Sequence, residues 1–233
     1  MKNTFPDSEK AKARLEALSD GIFAITMTMM IIDLKIPENS FHNLSPSELN
    51  NALNDLIPSI RSYLLSFFIL AIFWMRQQIH LNYLEVIEKH SILIYIVFLL
   101  LIGFVPFTVN LIKRYPDYHS PFILYSLNML LLSVILYLNT YFTYGKKVKD
   151  EKHEKDENIE MFLRVSGITV LIFLAGFVIS FYDIEIAFFV ILMDPVFYFL
   201  YRRIGKAKVR LKSNKFSHPS RMFSLKKIIF NDL

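Results

Sequence analysis

Apolar residues fall into six long blocks along the chain, separated by short polar stretches. A bilayer-crossing helix needs roughly 20 mostly apolar residues. The blocks that qualify run from about Leu18 to Ile36, Ile60 to Ile79, Ser91 to Ile112, Phe122 to Tyr144, Met161 to Tyr182 and Ile184 to Tyr201. The first follows Lys2, Lys10, Lys12 and Arg14 and has the look of a signal peptide. Its apolar run is too long for one, no small-residue cleavage site follows it, and five further spans come after. The polar connections are small. Between the first two spans, Ser47–Glu48–Leu49–Asn50–Asn51 lies in a stretch able to form a short amphipathic helix. Residues 145–160 alternate Lys with Asp and Glu, as in a solvated connector or a helical extension.

Composition agrees with this pattern. The 233 residues are 54% hydrophobic and 20% charged, against roughly 45–50% and about 25% in soluble domains, and mean hydropathy is +0.38. A soluble core of this size has no room for so much apolar surface. The fold class is therefore all-α membrane protein. Its spans form one transmembrane domain over residues 1–205, followed by a basic tail over residues 206–233. The formal charge of +5 is a matter of topology. With the N-terminus inside, 22 Lys and Arg lie on inner segments and only Lys35, Arg61, Lys113 and Arg114 on outer ones, so both termini are expected in the cytoplasm of a multi-pass cell-membrane protein. The tail mixes Lys and Arg with Phe and Leu, a composition drawn to anionic lipid rather than to nucleic acid.

Chemistry is scarce. Zero cysteines exclude disulfides, Cys-based metal sites and thiol nucleophiles. The six histidines are scattered without metal-ligand spacing, and six glycines leave no phosphate loop. No enzyme and no cofactor is expected. Ionisable residues inside spans are expensive, and each is a functional candidate. The first span offers Ser19, Asp20, Thr26, Thr28, Asp33 and Lys35, the second Trp74, Arg76, Gln77 and His80, and the sixth Asp194. Arg14 and Asp20 lie on different faces of one helix, about 9 Å apart axially. Each is expected to contact another helix, with Arg76 or His80 as the partner of Asp20, or else to serve as an interfacial Arg and a helix cap. Asp20 with Asp194 is the one conceivable intramembrane carboxyl pair.

The first span also carries Ile25, Thr28 or Met29, and Ile32 at helical spacing. Copies of this face around an axis give aliphatic rings with one hydroxyl ring between them, the makings of a hydrophobic constriction. The alternative is a stripe that packs against neighbours or lipid. The chain has no Thr-Val-Gly-Tyr-Gly-like segment for a carbonyl filter.

Arg14–Leu15–Glu16–Ala17–Leu18–Ser19–Asp20–Gly21 resembles Arg-x-x-x-Phe-Ser-Asp-Gly, the signature of the transmembrane protein 175 family of potassium channels. Arg14, Ser19, Asp20 and Gly21 match it, and Leu18 replaces the Phe. Phe73–Trp74 and Pro106–Phe107–Thr108 match further family motifs. Where the family has His after the Trp, this chain has Gln77 and Gln78, and Tyr95 stands where an Asn is frequent. The resemblance implies six transmembrane helices per subunit and a homotetramer whose first helix lines a central potassium pathway. Ile25 is then the inner constriction, Thr28 the hydroxyl layer, and Met29 and Ile32 further lining. It also implies that Arg14, Ser19, Asp20 and Trp74 form a structural polar network, with Gln77 in place of His. A single six-span repeat resembles prokaryotic members.

At the outer end Asp33 falls near the edge of the same face. Four such carboxylates form a ring at the pore mouth, unless Asp33 pairs instead with Lys35 or Arg61. The reading opposed to a channel is a proton- or ion-coupled transporter, or a membrane scaffold, using Asp20, Asp33 and Asp194. Pro106 and Pro195 do not occupy equivalent places in two halves, which favours the channel.

Overall fold

The computed structural model describes residues 8–32, 45–83, 89–149 and 157–217. Among them are seven helices: α1 (Ser8–Ile32), α2 (Pro46–Asp55), α3 (Ile57–Tyr83), α4 (Lys89–Arg114), α5 (His119–Lys149), α6 (Glu157–Ile179) and α7 (Ile184–Ser217). By length and apolar composition, α1, α3, α4, α5 and α6 each suffice to cross a membrane. The sixth long helix, α7, starts with the apolar run expected as the last span. The short α2 is the helix expected in the first outer connection. Ser45 begins it with a capping box, accepting from the Glu48 amide while the Glu48 carboxylate accepts from the Ser45 N–H at 2.8 Å, and so satisfies donors that a helix start leaves open.

Several helices outrun their apolar blocks. α1 begins ten residues before Leu18, α5 continues to Lys149, and α7 continues through the expected domain boundary at 205/206 as far as Ser217. The extensions are rich in Lys, Arg, Glu and Ala, which lose little rotamer freedom in a helix, so helicity does not stop where hydrophobicity does. Asp33, Lys35 and the last sixteen residues of the basic tail lie outside the described residues.

Two compact units are recognised, Met1–Pro195 and Val196–Leu233. The core of the first joins Phe23 and Met30 of α1, Ile69 and Phe73 of α3, Phe98 and Ile102 of α4, Met129 of α5 and Phe173 of α6. Phe73 stacks on Phe173 with centroids 5.9 Å apart, and Phe98 meets both Phe23 and Phe73. Gly176 lets α6 approach α7: a Cβ there would sit 2.6 Å from Ile191 Cγ1. At the start of α7, Arg61 bonds Glu185 at 2.9 Å and lies over the Phe188 ring.

Candidate functional site

α1 has two unlike faces. Leu15, Ser19, Phe23, Thr26 and Met30 form a buried stripe at spacings of three and four, the period of a helix packed along one side. Turned away from it are Ile25, Met29 and Ile32, which are 60%, 52% and 66% exposed, with Thr28 between them. These are the four residues expected to line a pore, and the helix brings them to one face that no part of the described chain covers. The Thr28 hydroxyl donates back to its own helix, 2.8 Å from the Ala24 carbonyl and 2.9 Å from that of Ile25. Its single hydrogen is thereby engaged, and the oxygen lone pairs are what the exposed face presents.

Two neighbouring helices hold α1. Midway along it, Asp20 Oδ1 accepts from Trp74 Nε1 at 2.8 Å and from Gln78 Nε2 at 2.6 Å. Toward its C-terminal end, the Lys113 ammonium of α4 reaches the Met30 carbonyl at 3.3 Å. The partner of Asp20 is therefore neither Arg76 nor His80. Arg76 turns into the protein and bonds Asp194 at 3.3 Å, while His80 Nδ1 pairs with the Tyr95 hydroxyl. Asp194 also accepts from the Thr169 hydroxyl at 2.8 Å, so it forms no carboxyl pair with Asp20. The reason is direction. Trp74 and Gln78 lie one turn apart on α3 and face α1, whereas Arg76 projects from another side of that helix.

The expected network is assembled only in part. Asp20 and Trp74 meet. Ser19 is fully buried, but its hydroxyl has no partner among the described residues. Gln77, expected to stand in for the family His, is buried with neither amide atom bonded among the described residues, and Gln78 makes the contact instead. Arg14 is exposed on the chain. Gln78, Thr169 and Lys113 were missed as site residues. Gln78 had a usable signal, since it stands four residues after Trp74 and shares its face. The other two had none, because their partners are distant in sequence.

The Endosomal/lysosomal potassium channel TMEM175 family model matches residues 14–106, from Arg14 of α1 through α2 and α3 to Pro106 of α4. A protein named as a potassium channel from Streptomyces collinus is 29% identical over 102 residues, 44% of this chain and 48% of its own length. The match thus spans about half of that relative. A potassium channel of Chamaesiphon minutus is 23% identical over 184 residues, 75% of this chain and 89% of its own. In structure, the chain is similar to the crystal structure of a lysosomal potassium-selective channel TMEM175 homolog from Chamaesiphon minutus, with a TM-score of 0.71 and 19% identity, over 82% of this chain and 97% of that one. That likeness is one of fold.

Proposed function

We propose, from the premise that this chain belongs to the TMEM175 family, that it is one subunit of a potassium channel whose pathway is lined by α1. The observation that carries this reading is the uncovered face of α1, apolar at Ile25, Met29 and Ile32 and interrupted by Thr28 alone. Four copies facing an axis give a throat too apolar to hold water readily, with Ile25 as its inner constriction. Thr28 forms an oxygen layer within it. Because its hydroxyl hydrogen points back into the helix, this layer offers acceptors to a cation in place of part of its hydration shell. No carbonyl cage of the Thr-Val-Gly-Tyr-Gly kind takes part. Met29 and Ile32 continue the lining outward, and Asp33 concentrates cations at the mouth.

Of the expected network, Asp20 and Trp74 belong to the frame of the pore rather than to the ion path. Asp20 is engaged by two donors from α3, which supports that role, and Gln78 joins the set. The multi-pass chain has both termini in the cytoplasm, and its basic tail lies on anionic lipid. The engagement of Asp194 by Arg76 and Thr169 favours the channel over a coupled transporter, which needs carboxylates free to exchange an ion.

The test is Ile25→Asn in planar bilayers. A polar ring at the constriction is expected to raise potassium conductance and to reduce the preference for potassium over sodium. Unchanged currents and reversal potentials would remove α1 from the pore.

A further inference from the structure

We infer that Lys113 is the positioning residue that fixes the outer end of the pore-lining helix, a role that rests on the reading of α1 as that helix. Met30 lies in the last described turn of α1 (Ser8–Ile32). That turn carries no basic residue of its own. The cation arrives instead from α4: Lys113, in the last turn of that helix, places its half-buried ammonium 3.3 Å from the Met30 carbonyl oxygen.

The attachment falls on the far side of α1 from the proposed pathway. The Met30 side chain is buried in the core with Val105 and Val109 of α4, and Ile112, just before Lys113, packs against the same cluster. Met29 and Ile32, adjacent to Met30 along the helix, face outward. A polar tie on the back thus sets the radial position of the two outermost lining residues on the front. Around an axis, any outward shift of each helix widens the ring by twice that shift. Apolar packing at Met30 holds the helix laterally but tolerates sliding. The bond from the ammonium to one carbonyl opposes that sliding.

Lys113→Met keeps the apolar stem and removes the donor and the charge. Lys113→Arg keeps both. The full-length protein is reconstituted, and single-channel current and potassium over sodium permeability are measured at low and at high potassium chloride. Lys113→Met is expected to change conductance or permeability ratio by roughly twofold or more at both salt concentrations, with Lys113→Arg restoring the parent values. If Lys113→Met cannot be obtained folded, Lys113→Gln, which retains a neutral donor, is expected to fall between parent and loss. Parent-like permeation in whichever of these two variants is measured overturns the inference. So does an effect confined to low salt, which would mark Lys113 as a surface charge. Ile25→Asn is recorded alongside. If it also leaves permeation unchanged, the pore reading has failed and this inference falls with it. If Ile25→Asn alters permeation and Lys113→Met does not, only the role of Lys113 is lost.

Discussion

Arg76 of α3 and Asp194 of α7 face each other at 3.3 Å, both side chains 1% exposed. The carboxylate oxygen that meets the guanidinium also accepts from the Thr169 hydroxyl of α6. One carboxylate therefore joins three helices. Removing one member of a buried pair leaves the other charged and desolvated, at a cost of about 3–5 kcal/mol. Arg76→Ala or Asp194→Ala is expected to lower the thermal unfolding midpoint sharply in detergent, and the double variant Arg76→Leu with Asp194→Leu to recover part of the loss. Single variants as stable as the parent would show that the pair carries no structural load.

Trp74 is the chain's one tryptophan, and its indole N–H bonds Asp20. Intrinsic tryptophan fluorescence therefore reports the junction of α1 with α3 and nothing else. Asp20→Ala is expected to shift the emission maximum and to cost about 0.5–1.5 kcal/mol, the net range for an ordinary hydrogen bond at an exposed site. Asp20→Asn keeps an oxygen acceptor for both donors and should lie nearer the parent. Identical spectra for parent and Asp20→Ala would place Trp74 elsewhere.

Thr28→Val replaces the hydroxyl by a methyl of similar size on the exposed face. If the oxygen lone pairs serve the ion, potassium over sodium permeability falls more than conductance does, as read from bi-ionic reversal potentials. Loss of conductance with selectivity intact would mean that Thr28 acts only through the shape of its helix.

Asp33→Asn tests the proposed mouth ring. Its loss is expected to reduce inward current at low salt, and the deficit should fade as ionic strength shortens the screening length toward about 3 Å at 1 M. Equal currents at low salt would discard the ring.

At Gly176 the expected effect is steric. Gly176→Ala would place its Cβ 2.6 Å from Ile191 Cγ1, and overpacking of this kind costs typically about 1–3 kcal/mol. Thermal unfolding should show the loss, with Ile191→Ala in the same chain relieving it. A Gly176→Ala variant as stable as the parent would mean that α6 and α7 separate freely there.

The sequence by itself determined that this is an all-helical membrane protein, because apolar blocks of bilayer length admit few other solutions once backbone polar groups must be satisfied internally. It also determined which face of α1 carries Ile25, Thr28, Met29 and Ile32, since spacing along one helix is a local property. The meeting of Asp20 with Trp74 was legible through the motifs that contain them. Tertiary structure alone decided the rest. Gln77 and Gln78 flank the Trp74 direction almost equally, and only the approach of α1 selects Gln78 as the donor while burying Gln77. Arg76 and Asp194 are 118 residues apart, and each was visible as a costly charge without its partner. Lys113 reads along the chain as one more interfacial lysine. Its role emerges only where the last turn of α4 passes the last turn of α1, because a contact between helix ends depends on how two rigid rods are packed and leaves no periodicity in either.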